Sequence, residues 1–271
     1  MSSLLKESMR SDPAPAQISP SFSLQGLNAL VIGGSSGIGL AIAEGFRNHG
    51  ARVAIAGRTP AKIESAVEHL AQGGAFARGY ALDVTIDQKL DALLQSVLDD
   101  FGHIDILVPA QGITILKPAE DFNAGDYDSI MATNMRSVFF ACTKVGRHML
   151  ARKRGSIINI GSMSAHRGFP RAAVYAVSKH GVIGLTKTLA AEWADRGVRV
   201  NAISPGFFPT PLSRAAMSPE RKDSAIRRTP MGRFGELDEL VGAAVFLASS
   251  AANFVTGVVI NVDGGYLASG I

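Results

Sequence analysis

Tyr175 and Lys179 stand four residues apart, and Ser162 precedes the tyrosine by thirteen. A helix that begins near Val174 would put Tyr175 and Lys179 on one face, a turn apart. A phenol ordinarily titrates near ~10 and a free lysine near ~10.4. A neighbouring ammonium favours tyrosinate, which would let Tyr175 serve as acid or base closer to neutrality. Ser162, upstream of that helix, could donate a hydrogen bond to a substrate oxygen. A Tyr-x-x-x-Lys pair also recurs on ordinary helix surfaces, so its meaning depends on the elements that hold it.

Those elements alternate from end to end. Short apolar runs read as strands at 27–33, 52–57, a third ending at Leu82-Asp83-Val84, then 104–108, 156–160, 198–203 and 258–262. Between them, helical spacing covers 37–50, 60–71, 87–101, 126–151, 174–195 and 237–248. Strand and helix in alternation predict one α/β domain over 23–271, a doubly wound parallel sheet with helices on both faces. No repeat or interdomain linker interrupts it. Residues 207–233, rich in Pro and Arg, read as an irregular, flexible substrate loop, and a loop that long is usually a lid or a binding loop. Residues 1–22 read as a disordered or loosely held extension, with charges and three prolines but no apolar signal core.

The chain has 271 residues, 46% hydrophobic and 18% charged, enough for one substantial core. Net charge is +4 with the basic residues scattered, which argues against nucleic acid and leaves room for anionic ligands. Arg152-Lys153-Arg154, the one tight basic run, suits a helix end. The single cysteine, Cys142, excludes an internal disulfide, reads as a buried small hydrophobe and points to a reducing, cytoplasmic setting. No clean apolar run reaches ~18 residues, so no membrane partner is expected. The six histidines lack metal-ligand spacing, and no Gly-x-Ser-x-Gly elbow appears.

The loop Gly33-Gly34-Ser35-Ser36-Gly37-Ile38-Gly39 joins the first strand to the first helix. Its glycines allow a tight turn and close backbone approach, and backbone N–H groups at the helix start can receive a pyrophosphate. With this loop, Asp83-Val84, Asn134, Ser162, Tyr175, Lys179 and Pro205-Gly206 in this order, the chain resembles the short-chain dehydrogenase/reductase family from about Ser23 onward. The resemblance implies a seven-stranded Rossmann sheet, a nicotinamide cofactor and hydride transfer to or from a carbonyl carbon. It implies Tyr175 as acid/base, Lys179 lowering its pKa and holding the nicotinamide ribose, Ser162 polarising the substrate oxygen and Asn134 anchoring a water in the proton relay. Gly33, Ser35, Ser36, Gly37, Ile38 and Gly39 would hold the cofactor's phosphates, Asp83 and Val84 its adenine, Ala110 and Gly112 the adenosine ribose side, and Pro205, Gly206 and Thr210 the nicotinamide amide.

Two positions depart from the family's pattern: Ile32 replaces its usual Thr, and Pro109-Ala110-Gln111-Gly112 replaces Asn-Asn-Ala-Gly. The second strand ends in Gly57-Arg58, without the acidic residue that would accept hydrogen bonds from a ribose 2′-OH. Arg58 could pair a 2′-phosphate, so NADP(H) is the expected cofactor, with NAD(H) possible. The stretch 228–249 resembles the gluconate 5-dehydrogenases and related sugar-acid or polyol dehydrogenases. The 3-oxoacyl-thioester (acyl carrier protein) reductases are the alternative, and a catalytically silent cofactor-binding regulator is the alternative from another class. His166, Arg167 and Arg171, between Ser162 and Tyr175, and Arg214 on the late loop are candidates to grip a substrate carboxylate. The apolar content of helices 126–151 and 174–195, which pair across subunits in the family, predicts a homotetramer.

Overall fold

Runs of β-branched and aliphatic residues make seven strands: β1 (Asn28–Ile32), β2 (Arg52–Gly57), β3 (Ala77–Ala81), β4 (Ile106–Pro109), β5 (Gly155–Ile160), β6 (Val198–Pro205) and β7 (Val259–Val262). In this computed structural model, which describes residues 21–269 apart from the side chains of 214–216, they form one parallel sheet in the order β3-β2-β1-β4-β5-β6-β7. All but the last two residues of the expected extension lie outside the described residues. Those two rest on the domain: Ser250 Oγ donates to Ser21 O at 3.1 Å, and the Phe22 ring lies 6.4 Å from that of Phe246.

Successive strand residues point to opposite faces, and both faces are apolar. Val31, Val53, Ile55, Val108 and Ile158 pack on one side with α1 (Gly37–Asn48), α2 (Pro60–Leu70) and the C-terminal α9 (Val241–Ala248). Leu30, Ile32, Ala54, Leu107, Ile157 and Val200 pack on the other with α3 (Asp87–Phe101), α5 (Ser137–Ala151) and α6 (Ala173–Trp193). Each fully buried Leu or Ile contributes about 1.5–3 kcal/mol of transfer free energy. Cys142 is fully buried on α5 beside Asn159, and burial pushes its thiol up to about 12, as an inert core residue should be. Among the described residues no helix is long and apolar enough to cross a membrane.

The strand order reverses at β1, whose neighbours are β2 and β4. Loops leaving the carboxyl ends of β1 and β4 run to opposite sides there and leave a crevice, the place where such sheets bind ligands.

Three local readings change. The helix expected over 126–151 begins earlier, as α4 (Ala124–Met131), and is broken by a π-turn over Ala132–Arg136 before α5. Such turns are common at functional sites, and this one holds Asn134 fully buried. The third strand stops at Ala81; Asp83 lies past its end in a turn, its carboxylate accepting from Thr85 N at 2.9 Å and Thr85 Oγ1 at 2.7 Å. The stretch 207–233 is not wholly irregular: it folds α7 (Pro211–Ala216) and α8 (Pro219–Arg228). Its prolines are the reason, since Pro at the first helical position loses no needed N–H. Thr210 and Ser218 cap the two helices, accepting from Ser213 N at 3.0 Å and Arg221 N at 3.3 Å.

Candidate active site

The crevice divides into a groove and a deeper cavity. The groove runs over the β1–α1 loop, with Gly33, Ser35, Ser36, Gly37, Ile38 and Gly39 along its floor. Arg58, Asp83 and Val84 stand at one end, and Ala110, Gly112 and Thr210 at the other. Gly33 has φ +79°, and a Cβ there would lie 2.7 Å from Gln111 N. A Cβ on Gly39 would lie 2.2 Å from Gly33 O, so the loop closes on itself only with glycine at these positions. Ser36, at the head of α1, makes no side-chain cap bond. The first amides of α1 therefore face the groove without an intrahelical partner, which is the donor set a helix N-terminus offers a phosphate. Gln111 adds an unpaired acceptor: its Nε2 donates to Ser137 Oγ at 2.8 Å, while its buried Oε1 has no partner among the described residues. The groove fits a dinucleotide.

Asp83 and Arg58 share the groove's far end. Hydrogen bonds from the Thr85 backbone and hydroxyl, with a smaller contribution from Arg58, hold the Asp83 carboxyl below its ordinary range. Arg58, Thr59 and Lys62 line the same end, and no acidic side chain arises from Gly57.

The cavity continues from the groove past Ile38, Ala110, Gln111 and Gly112 and contains Ser162, Tyr175 and Lys179, with Pro205 and Gly206 on one wall. β5 and α6 position these groups. Ser162 leaves the end of β5 as the cap of a short turn over Met163–Ala165; its Oγ accepts from Ser164 N at 3.2 Å and lies 2.8 Å from Ser164 Oγ. Tyr175 and Lys179 lie one turn apart at the start of α6. Lys179, only 4% exposed, donates from Nζ to Ile160 O at 2.9 Å, and burial pushes its ammonium down to about 8. Its Nζ is 5.7 Å from the centre of the Tyr175 ring. Burial raises the Tyr175 phenol above its ordinary value, and the group opposing that rise is the Ser162 hydroxyl. The depression expected from the lysine is thus not the net effect: Nζ donates to the Ile160 carbonyl, and burial raises the phenol.

Asn134 connects the β4 loop to α6. Its Oδ1 accepts from Ile113 N at 2.8 Å, and its Nδ2 donates to Ile113 O at 2.9 Å and Ser178 Oγ at 3.2 Å. Ser178 in turn donates to Tyr175 O at 2.7 Å. Gly112 is where these groups converge, since a Cβ there would sit 3.6 Å from Asn134 Oδ1 and 3.8 Å from Lys179 Nζ. Sequence reading missed Ser164, Ser178 and Gln111, whose roles come from contacts across the fold. Thr210 lines both groove and cavity and also caps α7.

The residues expected to grip a carboxylate are not in the cavity wall. After the turn at Met163–Ala165 the chain runs outward, leaving His166, Arg167 and Arg171 exposed. His166 Nε2 lies 3.0 Å from Ser204 Oγ, and the Arg167 guanidinium lies 6.0 Å from the centre of the Tyr266 ring. Arg171, at φ 69°, lines a neighbouring cavity. The Arg214 side chain lies outside the described residues. Among the described residues the arginine in the wall of the Ser162–Tyr175 cavity is Arg221 of α8. Its signal was present in the sequence as Ser218-Pro219, a cap and first residue of a helix.

Residues 32–267 match the family model described as enoyl-(acyl carrier protein) reductase. The chain belongs to the short-chain dehydrogenase/reductase family. It is 41% identical over 249 residues to the gluconate 5-dehydrogenase of Gluconobacter oxydans, covering 92% of this chain and 97% of that one. It is also 41% identical over 245 residues to the D-threitol dehydrogenase of Mycolicibacterium smegmatis, covering 90% and 94%. Among solved structures, a gluconate 5-dehydrogenase from Burkholderia cenocepacia in complex with NADP and tartrate superposes with a TM-score of 0.88 at 38% identity, covering 92% of this chain and 98% of that one. In this chain the seven-stranded sheet places the groove and the cavity side by side.

Proposed function

We propose that this short-chain dehydrogenase/reductase interconverts a secondary alcohol and a ketone on a sugar acid or polyol, using NADP(H) in preference to NAD(H). The observation that carries the reading is one continuous crevice in which a backbone phosphate cradle leads into a cavity holding Ser162, Tyr175 and Lys179. The similarity to a gluconate 5-dehydrogenase and a threitol dehydrogenase supports the substrate class. Arg58 and Lys62, with no acid at position 57, support recognition of a 2′-phosphate.

The bound nicotinamide would supply or accept the hydride; the chain's own groups manage oxygen and proton. Ser162 Oγ, steadied by Ser164, donates to the carbonyl oxygen. Tyr175 gives that oxygen its proton in reduction and takes it back in oxidation. Burial opposes ionisation of this phenol, so the positive charges that line the cavity must favour the tyrosinate as the proton leaves. Lys179 holds a positive charge behind the phenol and stabilises the tyrosinate that forms. Asn134 and Ser178 fix the start of α6 and so the direction of Tyr175.

The apolar wall residues Leu116, Phe169 and Leu212 favour a second reading, reduction of a 3-oxoacyl thioester. A panel of sugar acids, polyols and 3-oxoacyl thioesters, each with NADPH and NADH or their oxidised forms, separates the two. Turnover confined to the thioesters would overturn the sugar reading. We also propose a homotetramer: Tyr127, Phe139 and Val177 are 47%, 40% and 54% exposed on α4, α5 and α6 of a single chain. Light scattering should then give about four times 28.4 kDa, and a monomeric mass would reject it.

A further inference from the structure

Among the described residues the reaction cavity is lined by two charged side chains, Lys179 and Arg221, and by no Asp or Glu. Lys179 is occupied by Ile160 O. Arg221 is not: among the described residues its guanidinium has no hydrogen-bond acceptor and no carboxylate within ion-pair distance, although the side chain is half-buried. Its neighbour Glu220 faces the adjoining cavity, and bonds from the Ser218 hydroxyl and the backbone hold that carboxyl below its ordinary range. Leu212, Phe169 and Met217 line the same cavity, so an anion that entered it would find this half-buried guanidinium the charge without a partner.

The helix that carries Arg221 is built to hold it there. Ser218 caps α8, Pro219 starts it, and Ala225 and Thr229 bury its inner face. Arg221 N is the amide that Ser218 Oγ accepts from, so the cap fixes the backbone from which the guanidinium projects. Arg221 also lines the adjoining cavity, which shares Thr114, Leu116 and Leu212 with the reaction cavity and is lined by Arg171 as well. Among the described residues the one guanidinium of the reaction cavity therefore lies where that cavity meets its neighbour, while Ser162 and Tyr175 line the reaction cavity alone.

We propose that Arg221 is the specificity residue for an acidic substrate: it receives the carboxylate of a keto acid whose carbonyl oxygen meets Ser162 and Tyr175. One planar fork matches the two oxygens of a carboxylate. The assignment rests on the sugar-substrate reading and sharpens it from sugar acid or polyol to sugar acid. It replaces Arg167 and Arg171 in that role.

The test pairs 5-keto-D-gluconate with an uncharged ketose of the same carbon number, using NADPH and three forms of the full chain: unmodified, Arg221→Gln and Arg221→Lys. A charge-assisted contact corresponds to about a ten- to hundredfold change. Arg221→Gln should lower kcat/KM for the acid by that factor, through KM, and leave the ketose within about twofold. Arg221→Lys should recover part of the loss. Independently of turnover, gluconate should raise the unfolding midpoint of the unmodified chain and not that of Arg221→Gln. Equal losses on both substrates, or no loss on the acid, would overturn the role of Arg221 while leaving the sugar reading intact. Failure of the unmodified chain to turn over either substrate would overturn the sugar reading and the arginine's role with it.

Discussion

The two ends of the crevice are made of different material. The cofactor end is backbone: a loop leaving the buried strand β1, closed by glycines at 33 and 39 that admit no Cβ, with the unpaired amides of α1 facing the groove. The substrate end is side chain: Ser162 just past β5, Tyr175 from α6 and Arg221 from α8, the last more than forty residues beyond the other two. Backbone recognition needs a conformation, and conformation is set locally by glycine spacing. Side-chain recognition needs three elements to arrive together, and that is set by packing over the whole domain.

The contrast can be broken from either end. The largest effect is expected at the side-chain end. Tyr175→Phe removes the proton donor and no backbone contact, so turnover should fall by at least ~10²-fold while NADPH still binds. Near-normal turnover would remove Tyr175 from the mechanism, and loss of cofactor binding would show that the two ends are not separable.

A smaller effect is expected at the groove. Arg58→Ala should reduce the preference for NADPH over NADH by about ten- to a hundredfold, the range for a charge-assisted contact, without slowing turnover at saturating NADH. The ratio of kcat/KM for the two cofactors measures this; an unchanged ratio would assign the 2′-phosphate to another group.

The smallest effect concerns Lys179, where the two ends meet. Burial pushes its pKa down to about 8, from an ordinary value of 10.5. Below pH 8 the lysine is charged whether the chain is folded or not, and the folded state bears the whole burial cost. Between about 8 and 10.5 the unfolded chain holds a proton there that the folded chain has lost, so unfolding free energy rises with pH. Relative to Lys179→Met, the cofactor-free protein should gain roughly 1–2 kcal/mol across that window, the full shift being reduced by water penetration. Urea unfolding at pH 7 and pH 10 would reveal a flat difference if the ammonium is better solvated than its burial indicates.

Much of this was legible in the sequence because it repeats with short periods. Alternating apolar runs and helical spacing located all seven strands and their order along the chain, and α3 over Asp87–Phe101 was read to the residue. Reading was weaker where one residue type serves two purposes. Proline in 207–233 marked irregular chain yet twice begins a helix. The helical pattern of 126–151 concealed a π-turn, because one extra residue in the ladder leaves the apolar spacing almost unchanged.

By itself the sequence determined the reaction chemistry and the phosphate cradle. Tyr175 and Lys179 meet because a helix puts positions four apart on one face, and the β1–α1 loop closes because glycine alone fits its turns. Only the tertiary structure decided which arginine stands in the cavity wall. Arg167 and Arg171 are near Ser162 and Tyr175 in the chain, yet the turn after Ser162 sends them to solvent. Arg221, more than forty residues past Tyr175, is brought into the cavity wall because α8 packs back over it on Ala225 and Thr229. Proximity along the chain extends only as far as the next turn; beyond that, the burial of apolar faces decides which side chains meet.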